Sequence, residues 1–174
     1  MRIVHALCAL CLVGLMGCAA APSGWDPQGA ESLKQMSAKV LSDIDAGNFQ
    51  GMFADADSNF VVMDFDENNA PMRIDGTAGA GAFIARMTDL AKTQGLKFTS
   101  TIVLNEAWAT ATMGYSIIEY DQTISAGGQM MGPFKFRGTL IARRDGSQWK
   151  MTHWHGSFRE TPPPMPAPDS TTTH

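Results

Sequence analysis

The chain has 174 residues, of which 44% are hydrophobic, and a net charge of −4 at pH 7 with neutral histidines. This length suits one globular domain, and the mildly acidic balance excludes the usual basis of nucleic-acid binding, which is basic side chains that neutralise phosphates. The three cysteines are Cys8, Cys11 and Cys18, so the chain beyond residue 18 has no disulfide, no catalytic thiol and no cysteine ligand for a metal.

The first seventeen residues have the pattern of a secretory signal peptide. Arg2 provides the positive charge, and an apolar run follows from Ile3 to Met16. This run is shorter than the roughly 20 apolar residues that span a bilayer as a helix, and its flanks are those of a signal. We therefore predict that residues 1–17 are removed during export.

The residues around Cys18 resemble a bacterial lipobox. Leu-Met-Gly-Cys occupies positions 15–18, and in that motif the cysteine becomes the lipidated first residue of the mature protein. The resemblance implies a membrane anchor through lipid on Cys18. Ala19 in place of an aspartate implies the bacterial outer membrane, with the protein facing the periplasm. Ordinary cleavage after one of the alanines at 19–21 and an uncleaved anchor are the alternatives.

Two segments flank the predicted domain. Residues 18–30, with alanines, prolines and glycines after the cysteine, are typical of a short tether. Residues 161–174 include five prolines and are typical of a disordered tail. We therefore assign the folded domain to residues 31–160.

Helical periodicity predicts three helices in the first half of the domain. The first covers residues 31–46, with inward side chains at Leu33, Met36, Val40, Leu41 and Ile44. A short second helix follows Asn48, with Phe49, Met52 and Phe53 inward. The third begins near Thr77, ends at Gly95 and has inward side chains at Phe83, Ile84, Met87, Leu90 and Ala91.

In the remaining segments the residue types alternate along the chain, as is typical of β-strands, whose successive side chains point to opposite faces. Residues 58–65 should form a strand with Phe60, Val62 and Asp64 on one face and Val61, Met63 and Phe65 on the other. A short strand at 72–74 follows. Beyond the third helix, residues 97–106 and 107–122 should form one hairpin, and residues 133–144 and 148–159 another, with a flexible loop at 125–132. The sequence therefore predicts an α+β fold, in which three helices pack on one face of a strongly curved, mostly antiparallel sheet.

Several motifs resemble the SnoaL-like branch of the nuclear transport factor 2-like (NTF2-like) superfamily. Residues 107–109 match the family's Ala-Trp strand, residues 137–139 its Arg-x-Thr, and residues 149–157 the ending Trp-x-x-x-His-x-His-x-Ser. The same ending occurs in the association domain of calmodulin-dependent kinase II, a relative of this fold. Weaker matches lie at 45–49 and 74–76, and the resemblance covers residues 31–159.

The resemblance implies a curved sheet wrapped against helices into a cone with a pocket inside. Relatives use this pocket for isomerase, cyclase or dehydratase chemistry, or only to bind, and many dimerise through the open face of the sheet. We therefore expect a homodimer, and we expect no cofactor. Because one fold serves many functions, the site residues must decide the function.

Strict alternation along the last strand would place His153 and His155 on one face with Trp149, Met151 and Ser157. Metal binding would need a third His, Asp or Glu nearby, and the spacing places none there, so we predict no metal site. The pair stays a candidate for acid–base catalysis and for ligand contact. The interpretation that we favour is a hydrogen-bonded part of the sheet core or dimer face.

Arg137 is the candidate for binding a carboxylate. If its face of the strand lines the cone, its planar guanidinium can donate two hydrogen bonds to a carboxylate-bearing ligand. The alternatives are an arginine on the solvent face or one paired with Asp64 or Glu119.

Asp64 and Tyr115 are the nearest equivalents of acid–base residues. The steroid isomerases of the superfamily need a tyrosine and two carboxyl groups inside the cone, and that set does not map residue by residue onto this chain. Trp108 and Tyr115 are aromatic candidates for ligand contact, in a pocket that methionines would make adaptable. A core simply filled by methionine is the alternative.

These observations favour a lipid-anchored periplasmic domain that binds a small hydrophobic or carboxylate-bearing molecule without catalysis. A second hypothesis is an acid–base enzyme of isomerase, dehydratase or cyclase type, and a third is an oligomeric scaffold. Convergence of Asp64, Tyr115, Arg137 and the histidine pair on one cavity would favour an enzyme. A cone filled with Met and Phe would favour a scaffold.

Overall fold

The computed structural model of the chain describes residues 24–66 and 70–161. The predicted signal peptide, Cys18 and the proline-rich segment from Pro162 lie outside the described residues, so these predictions stay predictions. None of the helices in the two described ranges is long and apolar enough to cross a membrane. In chain order the elements are α1 (Pro27–Asp45), a 3-10 turn (Gly51–Phe53), β1 (Ala56–Phe65), β2 (Pro71–Asp75), α2 (Gly76–Gln94), β3 (Lys97–Ala109), β4 (Met113–Ala126), β5 (Gln129–Asp145) and β6 (Gln148–Phe158).

The α+β class is confirmed, but the described ranges contain two α-helices rather than the predicted three. The short second helix is only a 3-10 turn. Gly47 takes a positive φ of 69°, and Asn48 then closes a tight turn by accepting the Gly51 N–H on its side-chain oxygen. Gly47 before this segment and Gly51 within it disfavour a longer helix.

The helix α1 begins at Pro27, four residues before the predicted domain boundary at 31. Asp26 caps it, because the Asp26 carboxylate accepts the Gly29 N–H at 2.8 Å and an Arg144 N–H at 3.1 Å. The Asp26 N–H in turn donates to the Ala109 carbonyl at 2.9 Å. The start of the helix is therefore tied to the ends of β3 and β5.

The six strands form one mixed sheet in the order β2-β1-β6-β5-β4-β3, in which β1 and β6 are parallel and the other pairs antiparallel. The helix α1 packs on β3 and β4, and α2 packs on β1 and β2. The core between α1 and the inner sheet face contains side chains that are almost wholly buried, including Leu33, Leu41, Phe60, Ile118 and Leu140. This arrangement leaves the other face of the sheet without a covering helix among the described elements.

The segment 125–132, which we predicted as a flexible loop, is mostly strand. The strand β4 continues to Ala126 and β5 begins at Gln129, so the turn consists of Gly127 and Gly128. Both glycines have positive φ, 58° and 80°, which two-residue hairpin turns require and other residues rarely adopt. Residues 107–109 likewise end β3 instead of beginning the next strand.

A bulge in β6 overturns one prediction about its faces. Thr152 is an extra residue in the ladder with β5, so strict alternation is lost at this point. Trp149 and Met151, before the bulge, are buried in the core, whereas His153 and His155, after it, lie on the outer face. The prediction that all four side chains share one face was therefore wrong.

Candidate functional site

A cavity of about 120 Å³ lies between the inner face of the sheet, the last turns of α1 and the side of α2. Apolar cavities of roughly 150 Å³ bind benzene, so this one has room for about one ring. Most of its wall is aromatic or aliphatic: Val40, Ile44, Phe49, Met52, Phe53, Val62, Phe65, Met72, Ile74, Phe83, Met87, Leu96, Phe98, Ile124, Phe136, Met151 and Trp154.

Five polar or charged side chains interrupt this apolar wall: Asp64, Asp66, Arg86, Tyr120 and Gln122. Asp64 shares the inward face of β1 with two buried apolar residues, as the alternation predicted. Tyr120 and Gln122 are two residues apart on β4 and therefore share its inward face. Three of the five polar groups thus come from strands β1 and β4, while Arg86 comes from α2 and Asp66 follows the end of β1.

The carboxylate of Asp64 is held by two donors. Trp154 Nε1 donates to Oδ2 at 2.9 Å, and the Phe65 N–H donates to Oδ1 at 2.9 Å. Gly156 lies beside the carboxylate on β6, and a Cβ at this position would overlap it. A glycine at 156 is therefore required for the carboxylate to lie in this position.

The surroundings of Asp64 change its acidity. Burial raises the pKa of Asp64 above its ordinary value, against the lowering effects of its two hydrogen-bond donors and of nearby His155. Burial, and then the charge of Asp64, raise the pKa of Tyr120 well above its ordinary range. A carboxyl group that protonates readily beside a phenol that stays protonated is an arrangement suited to accepting and donating a proton.

The substitution Asp64→Asn is expected to flatten the dependence of stability on pH. Folding raises the pKa of this carboxyl, so the folded state keeps the proton at pH values where the unfolded state has lost it. The stability linked to this proton is complete below the ordinary pKa of 3.8 and is lost as the pH rises through the folded pKa. Urea denaturation between about pH 4 and pH 7 should therefore show wild-type stability falling relative to the variant.

The matched control for this measurement is Glu106→Gln, which changes an exposed carboxylate on β3. Its profile should run parallel to that of the wild type. Parallel profiles for Asp64→Asn and wild type would contradict the assignment of a raised pKa to Asp64.

Gln122 connects the cavity to the surface through hydrogen bonds. Its Nε2 donates to Ser100 Oγ at 3.0 Å, and Ser100 Oγ donates to Asp45 Oδ1 at 2.8 Å. The Ser100 N–H also donates to Asp45 Oδ2 at 2.8 Å. The amide of Gln122 is therefore fixed at the end of the cavity where α1 finishes.

Arg86 and Asp66 lie at the solvent side of the cavity. The exposed Arg86 donates from Nη2 to the sulfur of Met72 at 3.3 Å, and its guanidinium lies 5.8 Å from the ring centroid of Phe83. Asp66 accepts the Ala70 N–H at 2.9 Å. These residues therefore mark the mouth of the cavity, whereas Asp64 belongs to its inner wall.

Of the site residues predicted from sequence, the structure brings only Asp64 to the cavity. Tyr115, Arg137 and the histidine pair lie on the outer face of the sheet, as does Trp108. Trp108 and Tyr115 pair across β3 and β4, with ring centroids 6.1 Å apart. These residues therefore do not converge on one cavity, which was the condition named for favouring an enzyme.

The two histidine rings lie side by side on the outer face. Their centroids are 6.4 Å apart and their planes differ by 17°. Burial lowers the pKa of the half-buried His153, and the neighbouring His155 lowers it further, while a hydrogen bond with the Val61 backbone acts in the opposite direction. In the part of the chain that the structure describes, no group of three His, Cys, Asp or Glu could hold a metal ion.

Arg137 takes part in an ion-pair network on the same outer face. Its Nε and Nη2 donate to Glu119 Oε1 at 2.9 and 2.6 Å. Arg159 Nη1 reaches the other Glu119 oxygen at 3.4 Å and also pairs with Asp121. Pairing with Glu119 was the alternative that the sequence left open, and it places the guanidinium away from the cavity.

An apolar patch occupies much of the outer face. Several large side chains are more than a third exposed there, namely Met63, Leu104, Trp108, Met113 and Tyr115. Trp108, Met113 and Tyr115 lie on the adjacent strands β3 and β4, and contiguous exposed apolar groups commonly mark interaction sites. We refer to these five residues as the outer patch.

Sequence reasoning missed Tyr120, Gln122 and Arg86 among the polar groups of the cavity, and also the indole donor of Trp154. Alternation along β4 contained a signal for the first two, which share a face with the buried Ser116 and Ile118. No local signal identifies Trp154 as the partner of Asp64, because 90 residues separate them in the chain.

Residues 33–160 match the family model described as the SnoaL-like domain. None of the curated proteins matches the chain. Among solved structures, an NTF2-like protein of unknown function from Pseudomonas putida KT2440 is 16% identical, with a TM-score of 0.58 over 77% of this chain and 89% of that one.

Two further structures are similar. A ketosteroid isomerase-like protein from Erwinia carotovora atroseptica is 9% identical, with a TM-score of 0.61 over 78% of this chain and 99% of that one. The CaMKII hub of S. rosetta is 15% identical, with a TM-score of 0.55 over 74% of this chain and 95% of that one. At these identities the likeness shows the fold, an NTF2-like cone with a curved mixed sheet, and confirms the resemblance found in the sequence.

Proposed function

We propose that this chain, which belongs to the SnoaL-like domain family, binds a small and largely apolar molecule in the cavity of its cone. The observation that carries the proposal is the cavity itself, whose apolar wall is interrupted by a few polar groups, as is usual in small-molecule sites. Met and Phe line the cone without filling it, which supports a binding site over a scaffold alone. Arg137 no longer supports a carboxylate-bearing ligand, because it pairs with Glu119 on the outer face.

Native mass spectrometry of the protein purified from its own periplasm tests this proposal, and we expect a reproducible retained molecule. Val62→Phe places a ring in the cavity and should abolish retention, whereas Val61→Phe changes the neighbouring outward residue and should not. Circular dichroism would confirm that both variants are folded. Equal retention by the two variants would place the ligand elsewhere and overturn the proposal.

An acid–base enzyme is the second candidate function, and the raised pKa of Asp64 beside Tyr120 supports it. Tyr120 takes the place inside the cone that the sequence suggested for Tyr115. The test is to incubate the protein with its retained molecule in D2O and to follow deuterium incorporation by mass spectrometry. Exchange that Asp64→Asn abolishes would support an enzyme, and no exchange would support binding alone.

We also propose that the mature protein is anchored in the bacterial outer membrane through lipid on Cys18 and faces the periplasm. Gly24, the first described residue, follows Cys18 by six residues, which reach at most about 20 Å. The cavity lies toward the other end of α1, since Val40 is about 20 Å along the helix from Pro27. An anchor at Cys18 would therefore attach near the end of α1 that is farther from the cavity.

Globomycin, which blocks lipoprotein signal cleavage, tests the anchor. We expect the treated cells to accumulate the unprocessed precursor, and Cys18→Ser to move the protein out of the membrane fraction. Normal processing in the presence of globomycin would contradict lipidation.

A further inference from the structure

We infer that the cavity selects single-ring apolar molecules that present a hydrogen-bond donor, an ammonium or a hydroxyl, to Asp64, and that it disfavours carboxylates. This inference rests on the proposed function, because it names the ligand class of the same cavity. The ligand inferred here is a hydrogen-bond donor, whereas the sequence led us to expect a carboxylate bound by Arg137.

The hydrogen bonds of Asp64 carry the argument. Each carboxylate oxygen accepts one donor, Trp154 Nε1 on Oδ2 and the Phe65 N–H on Oδ1. Two carboxylate oxygens offer about four acceptor sites, so two of these sites stay available on the cavity wall. Above the raised pKa of Asp64 its carboxylate is ionised and donates nothing, so a ligand group that meets it there must be a donor.

Two other polar groups of the wall agree with this polarity, whereas the Tyr120 hydroxyl can donate as well as accept. Gln122 uses its amide N–H to donate to Ser100, so this donor is directed away from the ligand. The cation of Arg86 lies at the exposed mouth, against Met72 and Phe83. A ligand carboxylate on the inner wall would meet Asp64, and two carboxylates in one apolar cavity repel each other strongly.

The aromatic wall adds a preference for cations. Trp154, Tyr120 and Phe136 line the cavity near Asp64, and the faces of such rings attract ammonium groups. A neutral hydroxyl satisfies the same acceptor without the cost of moving a charge out of water. Both an ammonium and a hydroxyl can donate the hydrogen bond that Asp64 accepts, and experiment decides which of the two the cavity prefers.

The test compares four probes of one size, namely benzylamine, benzyl alcohol, toluene and benzoate, by isothermal titration calorimetry on the full chain. We expect the amine and the alcohol to bind about tenfold more tightly than toluene, since a hydrogen bond to a charged group contributes about 1.5–3 kcal/mol. We expect benzoate to bind more weakly than toluene. Asp64→Leu should remove the advantage of both donors while toluene still binds.

Two further variants make the test specific. Asp64→Asn keeps an acceptor and loses the charge, so it should weaken the amine and leave the alcohol nearly unchanged. Glu106→Gln, on the outer face, should change neither. Toluene binding with no advantage for either donor would overturn the inference and leave the proposed function standing. Benzoate as the tightest probe would overturn it in favour of Arg86, and failure of all four would overturn the proposed function as well.

Discussion

Replacing Trp154 with alanine is expected to lower the free energy of unfolding by about 3–5 kcal/mol and to abolish ligand retention. The side chain is only 4% exposed and lies so close to Gly138 that a Cβ at 138 would overlap its ring. It also forms part of the cavity wall and donates to Asp64. Its removal therefore leaves a void in the core and a buried carboxylate with one donor fewer.

Two other variants separate these contributions in urea denaturation experiments. Trp154→Phe keeps most of the packing and loses the indole donor, so it should destabilise by about 1–3 kcal/mol. Trp108→Ala removes a tryptophan that is 38% exposed and should change the stability of the monomer much less. Equal losses for Trp154→Ala and Trp108→Ala would show that the cavity wall is not part of the stabilising core.

If the chain forms the homodimer that the resemblance implies, Tyr115→Arg is expected to weaken it by about 100-fold or more in Kd. A two-fold interface presents the same patch from both subunits, so a single substitution places two charges in the contact. Tyr115 is 42% exposed and pairs with Trp108 in the outer patch, and aromatic residues often carry much of the binding energy of interfaces.

Analytical ultracentrifugation of the Cys18→Ser protein would measure this effect without the lipid. Thr99→Arg adds the same charge at an exposed position of β3 outside the outer patch and should leave the dimer intact. A wild-type protein that is monomeric at high concentration would refute the dimer. Dissociation by both substitutions would show that charge alone, rather than the outer patch, controls association.

The predictions that the structure confirms rest on patterns among residues that are close together in the sequence. Periodicity identified α1 and α2, and the end of α2 at Gly95 follows from a positive φ of 63° that glycine adopts easily. Alternation along β1 correctly placed Asp64 with Phe60 and Val62. The motifs of the last strands were sufficient to recognise the superfamily, because they lie in short contiguous segments.

The site itself depended on contacts that no local pattern contains. Tyr115 and Tyr120 are five residues apart on one strand, so the sequence shows that they occupy opposite faces but not which of them is inside. Each face of β4 mixes apolar and polar residues, with Glu119 and Asp121 on the outward face and Ser116 and Gln122 on the inward face, and hydrophobicity therefore cannot distinguish them. Tertiary packing decided between the two tyrosines when α1 covered the face of Tyr120. Tertiary structure also introduced the bulge at Thr152, which separates the buried Trp149 from the outward histidines. It joined Trp154 to Asp64 across the parallel strands β6 and β1, which are distant in sequence.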